Sequence, residues 1–375
     1  MDAPYSSQRN SFHLARFILA TMVILCHSFT LLGRRTPLSG LTGGLMNEGT
    51  LAVDGLLTIS GFLICQSAVR SRGAIGFLRK RVVRILPALL CALAFSAMII
   101  GGLAYEGSFA GYVRLRQDGP FTWMFNWLTL NVQPEQWGIS GVFSGNPTTS
   151  LNVSLWTIKF EVFLYLLMAA LMVTTLHRKR PTYIVLYAAF LLLRALLVCF
   201  EVRLWDAEDT RLWVLSHWNY DRLTQTGLFF FTGTILYAYR DRLARRWYLA
   251  VIAAMALVAG CFFSDVPSRI AQAAGTPAEL LWRLAEIPLR TVYWLAVPYL
   301  VIYLATSPIC AGFARLGDLS LGLYLFSYPI GQMIIHVWPQ VQPMALFALT
   351  MVFALPVAAA CWRWVEVPCG KLKGE

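Results

Sequence analysis

Ten stretches of about 20 mostly apolar residues recur along this chain, each long enough to cross the hydrocarbon of a bilayer as a helix. A spanning segment must satisfy its own backbone hydrogen bonds in lipid, so runs of this kind fold as helices packed into a bundle. They fall at about 14 to 33, 50 to 69, 85 to 105, 155 to 175, 182 to 200, 223 to 239, 247 to 263, 289 to 306, 319 to 337 and 343 to 362. Little of the 375 residues is left between them, so the expectation is a single membrane domain over 1–375 with no separate soluble domain. The charged fraction of 13% agrees, because soluble domains carry about 25%.

The net charge of +12 would raise nucleic acid as a partner for a soluble protein, but here topology explains it. Of the 31 Lys and Arg, 18 fall on one side of an alternating trace, 13 of them in residues 70 to 84, in HRKR (177–180) and in YRDRLARR (239–246). An even number of spans puts both termini on that side, which the positive-inside rule makes the cytoplasm. The expected fold is therefore all-α, a polytopic bundle of about ten transmembrane helices with membrane lipid around it and no nucleic-acid partner. Tryptophans such as Trp205, Trp247, Trp338 and Trp362 stand at span ends, where amphipathic rings settle at headgroup level. The eight cysteines show no metal-ligand spacing and read as small buried hydrophobes, so no metal is expected. The polar N-terminus leads into a span with no small-residue cleavage site and is read as retained. The longest outer loop, about 107 to 154, reads as a functional cover or binding surface.

Among the ionisable residues inside these spans four stand out: Arg16, His27, Asp54 and Glu161. Each costs about 2.5 to 3.5 kcal/mol on insertion scales, so each must face the bundle interior with a partner or a task. Arg16 and His27 are eleven positions apart, three helical turns plus about 20°, and so share one helix face about 16 Å apart. By counting from span centres, His27, Asp54 and Glu161 fall at one depth on the outer side of the midplane, which points to one site. A polar cluster that only fixes helix register is the plainer alternative. Lys159, two positions from Glu161, points to another side of its helix.

On the opposite side, RSRGAIGFLRKRVVRILPALL (70–90) is first of all a topology signal. Arg81 and Arg84, one turn apart and just ahead of Pro87, also place two guanidinium forks on one face, which suits a phosphorylated ligand. A ligand held there by its phosphates, with a flexible arm matching the Arg16 to His27 spacing, has the shape of a coenzyme A thioester. Asn152, Ser154 and Trp156, at the outer mouth, are placed to hydrogen-bond and stack a sugar. A helix N-terminus with an interfacial anchor is the structural alternative for them.

Arg16 and His27 at this spacing, VDGLLTISGFLI (53–64), Arg81 and Arg84 before Pro87, SLWTIKFEVFLY (154–165), LGDLSLGLYLFSYPIGQ (316–332) and WVEVP (364–368) together resemble the acyltransferase-3 family of integral membrane O-acyltransferases. The resemblance covers nearly the whole chain. It implies a ten-helix bundle in a bacterial inner membrane that moves an acyl group, usually acetyl, from cytoplasmic acyl-CoA (acetyl-CoA) to a hydroxyl of an extracytoplasmic glycan. The acceptor would be an O-antigen, exopolysaccharide, peptidoglycan or lipid-linked sugar, with other polysaccharide-synthesis proteins as candidate partners. By the same likeness His27 is the catalytic histidine, Asp54 and Glu161 are supporting acid or base groups, and Arg16, Arg81 and Arg84 serve the donor. Two positions depart from the pattern: Val162 stands where many members have a second Glu, and Ser327 where many have a His. The membrane-bound O-acyltransferases, another enzyme family with an intramembrane histidine, are a further alternative, although their motifs are not those seen here. Rival readings are a proton-coupled transporter or flippase of a glycan precursor, with His27, Asp54 and Glu161 as a proton relay, and a non-catalytic scaffold.

Overall fold

A computed structural model of the chain describes residues 10–42, 46–131, 137–199, 219–243, 246–262, 278–308, 312–313 and 317–371. Trp205, Cys310 and Arg315 lie outside the described residues. Within them the structure is helical, and extended pairing is limited to isolated bridges between Tyr105 and Val142 and between Gly138 and Ser150. The long helices are α1 Phe12–Thr30, α2 Glu48–Arg70, α3 Ala74–Ala94, α4 Trp156–Val173, α5 Arg180–Cys199, α6 Tyr220–Ala238, α7 Trp247–Phe262, α8 Ala278–Ala305, α9 Ser320–Val337 and α10 Pro343–Cys361. Six helical segments among the described residues are long and apolar enough to cross a membrane: Phe12–Thr30, Glu48–Arg70, Ala74–Ala104, Val153–Val173, Arg180–Leu197 and Pro343–Gly370. Trp247–Gly260 and Arg290–Ala305 are shorter apolar helices. The chain is an all-helical, multi-pass membrane protein.

Two segments differ from the sequence reading. Residues 70 to 84 are read as a cytoplasmic stretch ahead of a span from about 85, with Arg81 and Arg84 one turn apart; the helix α3 begins earlier, at Ala74, and continues through Pro87, so Arg79, Lys80, Arg81 and Arg84 all sit on it. Lys, Arg, Leu and Phe sustain helix, and no further Gly or Pro interrupts the run between Gly76 and Pro87. The predicted irregular cover over 107 to 154 contains two short helices, Phe109–Arg114 and Pro120–Leu128. The first is started by Ser108, whose hydroxyl accepts from the Gly111 N–H at 3.1 Å, and the second by a proline in its first turn.

The chain divides into two compact units. The first comprises Met1–Ala15, Pro37–Phe77 and Phe163–Gly312, and it holds α2 and α5 to α8. Asn47 and Asn219 start α2 and α6 by accepting from the N–H groups of Thr50 and Arg222, at 2.8 and 2.9 Å. Lipid tails are as apolar as leucine, so close backbone packing must replace the hydrophobic effect between these helices. α2 and α6 achieve it with glycines: a Cβ on Gly61 would stand 2.0 Å from the Phe230 carbonyl oxygen, and one on Gly233 would stand 2.2 Å from that of Thr58. Gly61→Leu therefore forces the two backbones apart, at a cost of about 1–3 kcal/mol or more. The expected result is a clear loss of thermal stability in detergent, whereas Gly76→Ala, with open space around it, leaves the melting temperature unchanged or raised. Arg194, an intramembrane charge on α5, is accounted for in the same unit: its guanidinium is paired with the Asp221 carboxylate and donates to the Asp221 carbonyl at 3.0 Å.

The second unit comprises Arg16–Thr36, Leu78–Val162 and Phe313–Glu375. Its helices α1, α3 and α9 run in the same direction, and side-chain contacts set their register. At their first ends, Arg16 of α1 and Arg84 of α3 both reach Asp318, just ahead of α9. About ten residues further, His27 of α1 meets Tyr328 of α9, and Phe95, following α3, meets Phe326 at 5.3 Å between ring centroids. Beyond that level Leu31, Tyr328, Ile335, Val341 and Leu346 pack as one buried cluster. Residues Phe95–Gly101, which continue α3, are wound as a π-helix, a form that recurs at functional sites.

Candidate active site

At the first end of this second unit, Asp318 is shared by two arginines. Its Oδ2 accepts from Arg16 Nη1 at 2.6 Å and from Arg84 Nη2 at 3.1 Å. Its Oδ1 accepts from Ser320 Oγ at 2.5 Å, so both carboxylate oxygens are engaged. The preceding residue, Gly317, has φ +85°, and a Cβ there would stand 2.4 Å from the Trp362 ring. Only glycine takes this turn without strain, and the turn delivers Asp318 to the arginines. Two guanidiniums thus converge on one carboxylate. The Arg16 side chain is 13% exposed and Arg84 35%, so Arg84 is the one that faces outward. Arg81 precedes Arg84 by one helical turn.

At the other end, the His27 ring stands edge-on to Tyr328, with centroids 5.0 Å apart and planes at 88°. His27 is half-buried, and its buried Nδ1 has no hydrogen-bond partner. A ring nitrogen held out of water without a partner costs about 1–3 kcal/mol and is open to a proton or a ligand hydroxyl. Arg16 and His27 are thus carried on one continuous helix about 16 Å apart along its axis, the spacing that the sequence predicts.

Asn152 is fully buried and acts as a tie, donating from Nδ2 to the Leu325 carbonyl at 2.8 Å and to Ser96 Oγ at 3.3 Å. Its Oδ1 and the buried hydroxyls of Ser154 and Ser327 have no hydrogen-bond partner. Ser327, which takes the place of a family histidine, is therefore a buried hydroxyl rather than a second base. Trp156 opens α4 and lies edge-on to Phe160, with centroids 5.8 Å apart. Glu161 is half-buried on the same helix, and the Lys159 ammonium lies 5.4 Å from the Phe160 ring.

Asp54 belongs to the first unit and takes its hydrogen bonds there. Its buried carboxylate accepts from Tyr293 Oη at 3.0 Å and from Gln225 Nε2 at 3.2 and 3.4 Å. The structure thus joins Arg16 with Arg84 and surrounds Asp54 with neutral donors from its own unit.

Three residues of the site have no role in the sequence reading: Asp318, Tyr328 and Gln332. The last is fully buried, and its Nε2 donates to the carbonyls of Thr148 and Ser150 at 2.9 and 2.7 Å. All three stand in LGDLSLGLYLFSYPIGQ. Tyr328 and Gln332, four residues apart in an apolar run, are the visible signal of a polar stripe on one helix face.

Fold and site together define a multi-pass helical membrane protein with a paired-arginine end and a histidine end in one unit. The acyltransferase domain family matches residues 9–363, and the chain belongs to this acyltransferase-3 family. It is an acyltransferase, which decides against the transport and scaffold readings. Nodulation protein 10 of Rhizobium leguminosarum bv. viciae is 26% identical over 385 aligned residues, covering 98% of this chain and 95% of that protein. The O-acetyl transferase of Shigella phage Sf6 is 24% identical over 370 residues, covering 95% of each. No solved structure matches the chain.

Proposed function

We propose that this protein is an O-acetyltransferase of a bacterial inner membrane that moves an acetyl group from cytoplasmic acetyl-CoA to a hydroxyl of an extracytoplasmic glycan or lipid-linked sugar. In this reading ten helices cross the bilayer, both termini are cytoplasmic, and the Asp318 end of α1, α3 and α9 faces the cytoplasm. The observation that carries it is the arrangement of the second unit, where three parallel helices place a guanidinium pair at one end and an open imidazole nitrogen at the other. The Sf6 phage relative, an O-acetyl transferase by name, supports the reaction type.

Arg84, Arg81 and Arg16 hold the donor phosphates in bidentate fashion, and the pantetheine arm spans the distance to His27. His27 takes the proton from the acceptor hydroxyl, whose oxygen attacks the thioester carbonyl. The C–O bond forms, the C–S bond breaks, and the imidazolium returns its proton to the leaving thiolate. Glu161 and Asp54 act as supporting acid or base groups, and Ser154 and Trp156, with Asn152 behind them, border the acceptor.

Membranes containing the chain, supplied with acetyl-CoA labelled in the acetyl group, are expected to deposit label on outer glycan. Label absent from glycan in membranes with intact protein and donor overturns the reading. Arg81→Ala with Arg84→Ala removes two charge-assisted contacts and is expected to raise the donor KM by at least about tenfold. A donor KM equal to the parent's returns these arginines to a purely topological role.

A further inference from the structure

Ser327 carries a hydroxyl that the fold leaves idle. Buried hydroxyls elsewhere in these helices return their hydrogen to the carbonyl one turn back, as Ser28 does to Ile24, Thr58 to Asp54 and Thr232 to Leu228, each at 2.8 Å. Ser327 on α9 makes no such bond and no other, although it is 2% exposed and its Oγ is buried. A hydroxyl kept from water without a partner costs about 1–3 kcal/mol. Alanine would avoid that cost, so stability does not explain the serine.

The register of α1 against α9 places this hydroxyl level with the histidine. The two helices run in the same direction and touch at a near-constant offset: Arg16 with Asp318, His27 with Tyr328, and Leu31 with Gly331, where a Cβ would stand 3.4 Å from Leu31 Cδ1. Leu31 is one turn beyond His27, its N–H bonded to the His27 carbonyl at 2.9 Å. Gly331 is one turn beyond Ser327 on the same side of α9. One turn back from the Leu31 and Gly331 contact, His27 and Ser327 therefore stand at one level on facing helix sides. His27 Nδ1 and Ser327 Oγ are both buried and both without a partner, so they do not bond each other and each is left to meet a third group.

We propose that Ser327 is a catalytic residue whose hydroxyl donates to the thioester carbonyl oxygen during transfer. This rests on the reading that His27 is the reacting base. The acceptor oxygen gives its proton to His27 and bonds to the carbonyl carbon, and the C=O electron pair moves onto the carbonyl oxygen, where the Ser327 O–H meets it. When that pair returns, the C–S bond breaks and the imidazolium protonates the leaving thiolate. The two residues divide the work by their chemistry: an imidazole nitrogen with an unengaged lone pair takes a proton, and a hydroxyl with an unengaged hydrogen donates one bond. A donor that meets charge only as it develops speeds the reaction without tightening the ground state.

The test is Ser327→Ala in purified full-length protein in lipid, with kcat, donor KM and melting temperature read on one sample. Loss of one such donor is expected to lower kcat on the order of a hundredfold with the donor KM unchanged. The variant is also expected to melt at or above the parent temperature, because an unpartnered buried hydroxyl is gone. A parental kcat overturns the proposal, and so does a kcat loss accompanied by lower melting, which would make the hydroxyl structural. A raised donor KM at parental kcat overturns it as well, since the hydroxyl would then serve the ground state. Mass spectrometry of the parent chain incubated with acetyl-CoA and no acceptor is expected to find Ser327 unmodified; an acetyl group on it would make the serine a nucleophile instead. The underlying reading fails separately: if His27→Ala retains the parent rate, the histidine is not the base, whatever Ser327→Ala does.

Discussion

His27→Ala is expected to reach the membrane at the parent level and to transfer acetyl groups at least about a hundredfold more slowly, since a positioned general base contributes about 10²–10⁴ in rate. The expectation follows from what the side chain does and does not hold. His27 makes no salt bridge among the described residues, and its buried Nδ1 accepts no hydrogen bond, so its removal strands no charge. It touches the Tyr328 ring, and the loss of that edge contact is a packing change of about 0.5–1.5 kcal/mol. Folding therefore survives while the chemistry does not. Donor KM should stay near the parent value because the arginines stand about 16 Å away along α1. Steady-state rates with a thermal melt on the same sample check both halves. A variant with parental melting and parental rate would remove His27 from the reaction.

The sequence carries the helices well because their cause is local: a run of about 20 apolar residues admits no other fold in lipid. It also carries the relation of Arg16 to His27, since both lie on one helix and helix geometry converts residue number into distance. Contacts between helices are less accessible. Asp318 reads as a span-boundary loop residue, and nothing local says that Gly317 turns it onto arginines some 230 and 300 positions earlier in the chain. Asp54 is satisfied by Tyr293 and Gln225, which no spacing rule connects to it. Asn152 reads as a residue of the outer mouth, set to hydrogen-bond a sugar or to start a helix. Its amide also satisfies a carbonyl of α9, a demand created only by tertiary packing.

Replacing Asp318 is expected to damage donor use about as sharply as removing Arg81 and Arg84. Guanidiniums that share one carboxylate oxygen lie about 5 Å apart and, without it, repel by about 3 kcal/mol at an effective dielectric of 20. Arg16 is the deeper of the two and Arg84 the more exposed, so Arg84 is the one displaced toward water. The donor phosphates then meet one arginine where two were held ready, and preorganisation is lost. Asp318→Asn keeps the shape and removes the charge, and it should raise the donor KM about tenfold or more while kcat at saturating donor stays near the parent value. A donor KM at or below the parent's would mean that the carboxylate competes with phosphate for the arginines instead of assembling them. Stability separates from function in a second variant, Arg16→Met with Asp318→Leu. Replacing a buried ion pair with apolar side chains of similar size is often neutral or stabilising, so the double variant should melt near the parent temperature. It should nonetheless use acetyl-CoA poorly, because a guanidinium for phosphate is gone. If this apolar pair supports transfer at the parental donor KM, the arginine end serves only to hold the helices together.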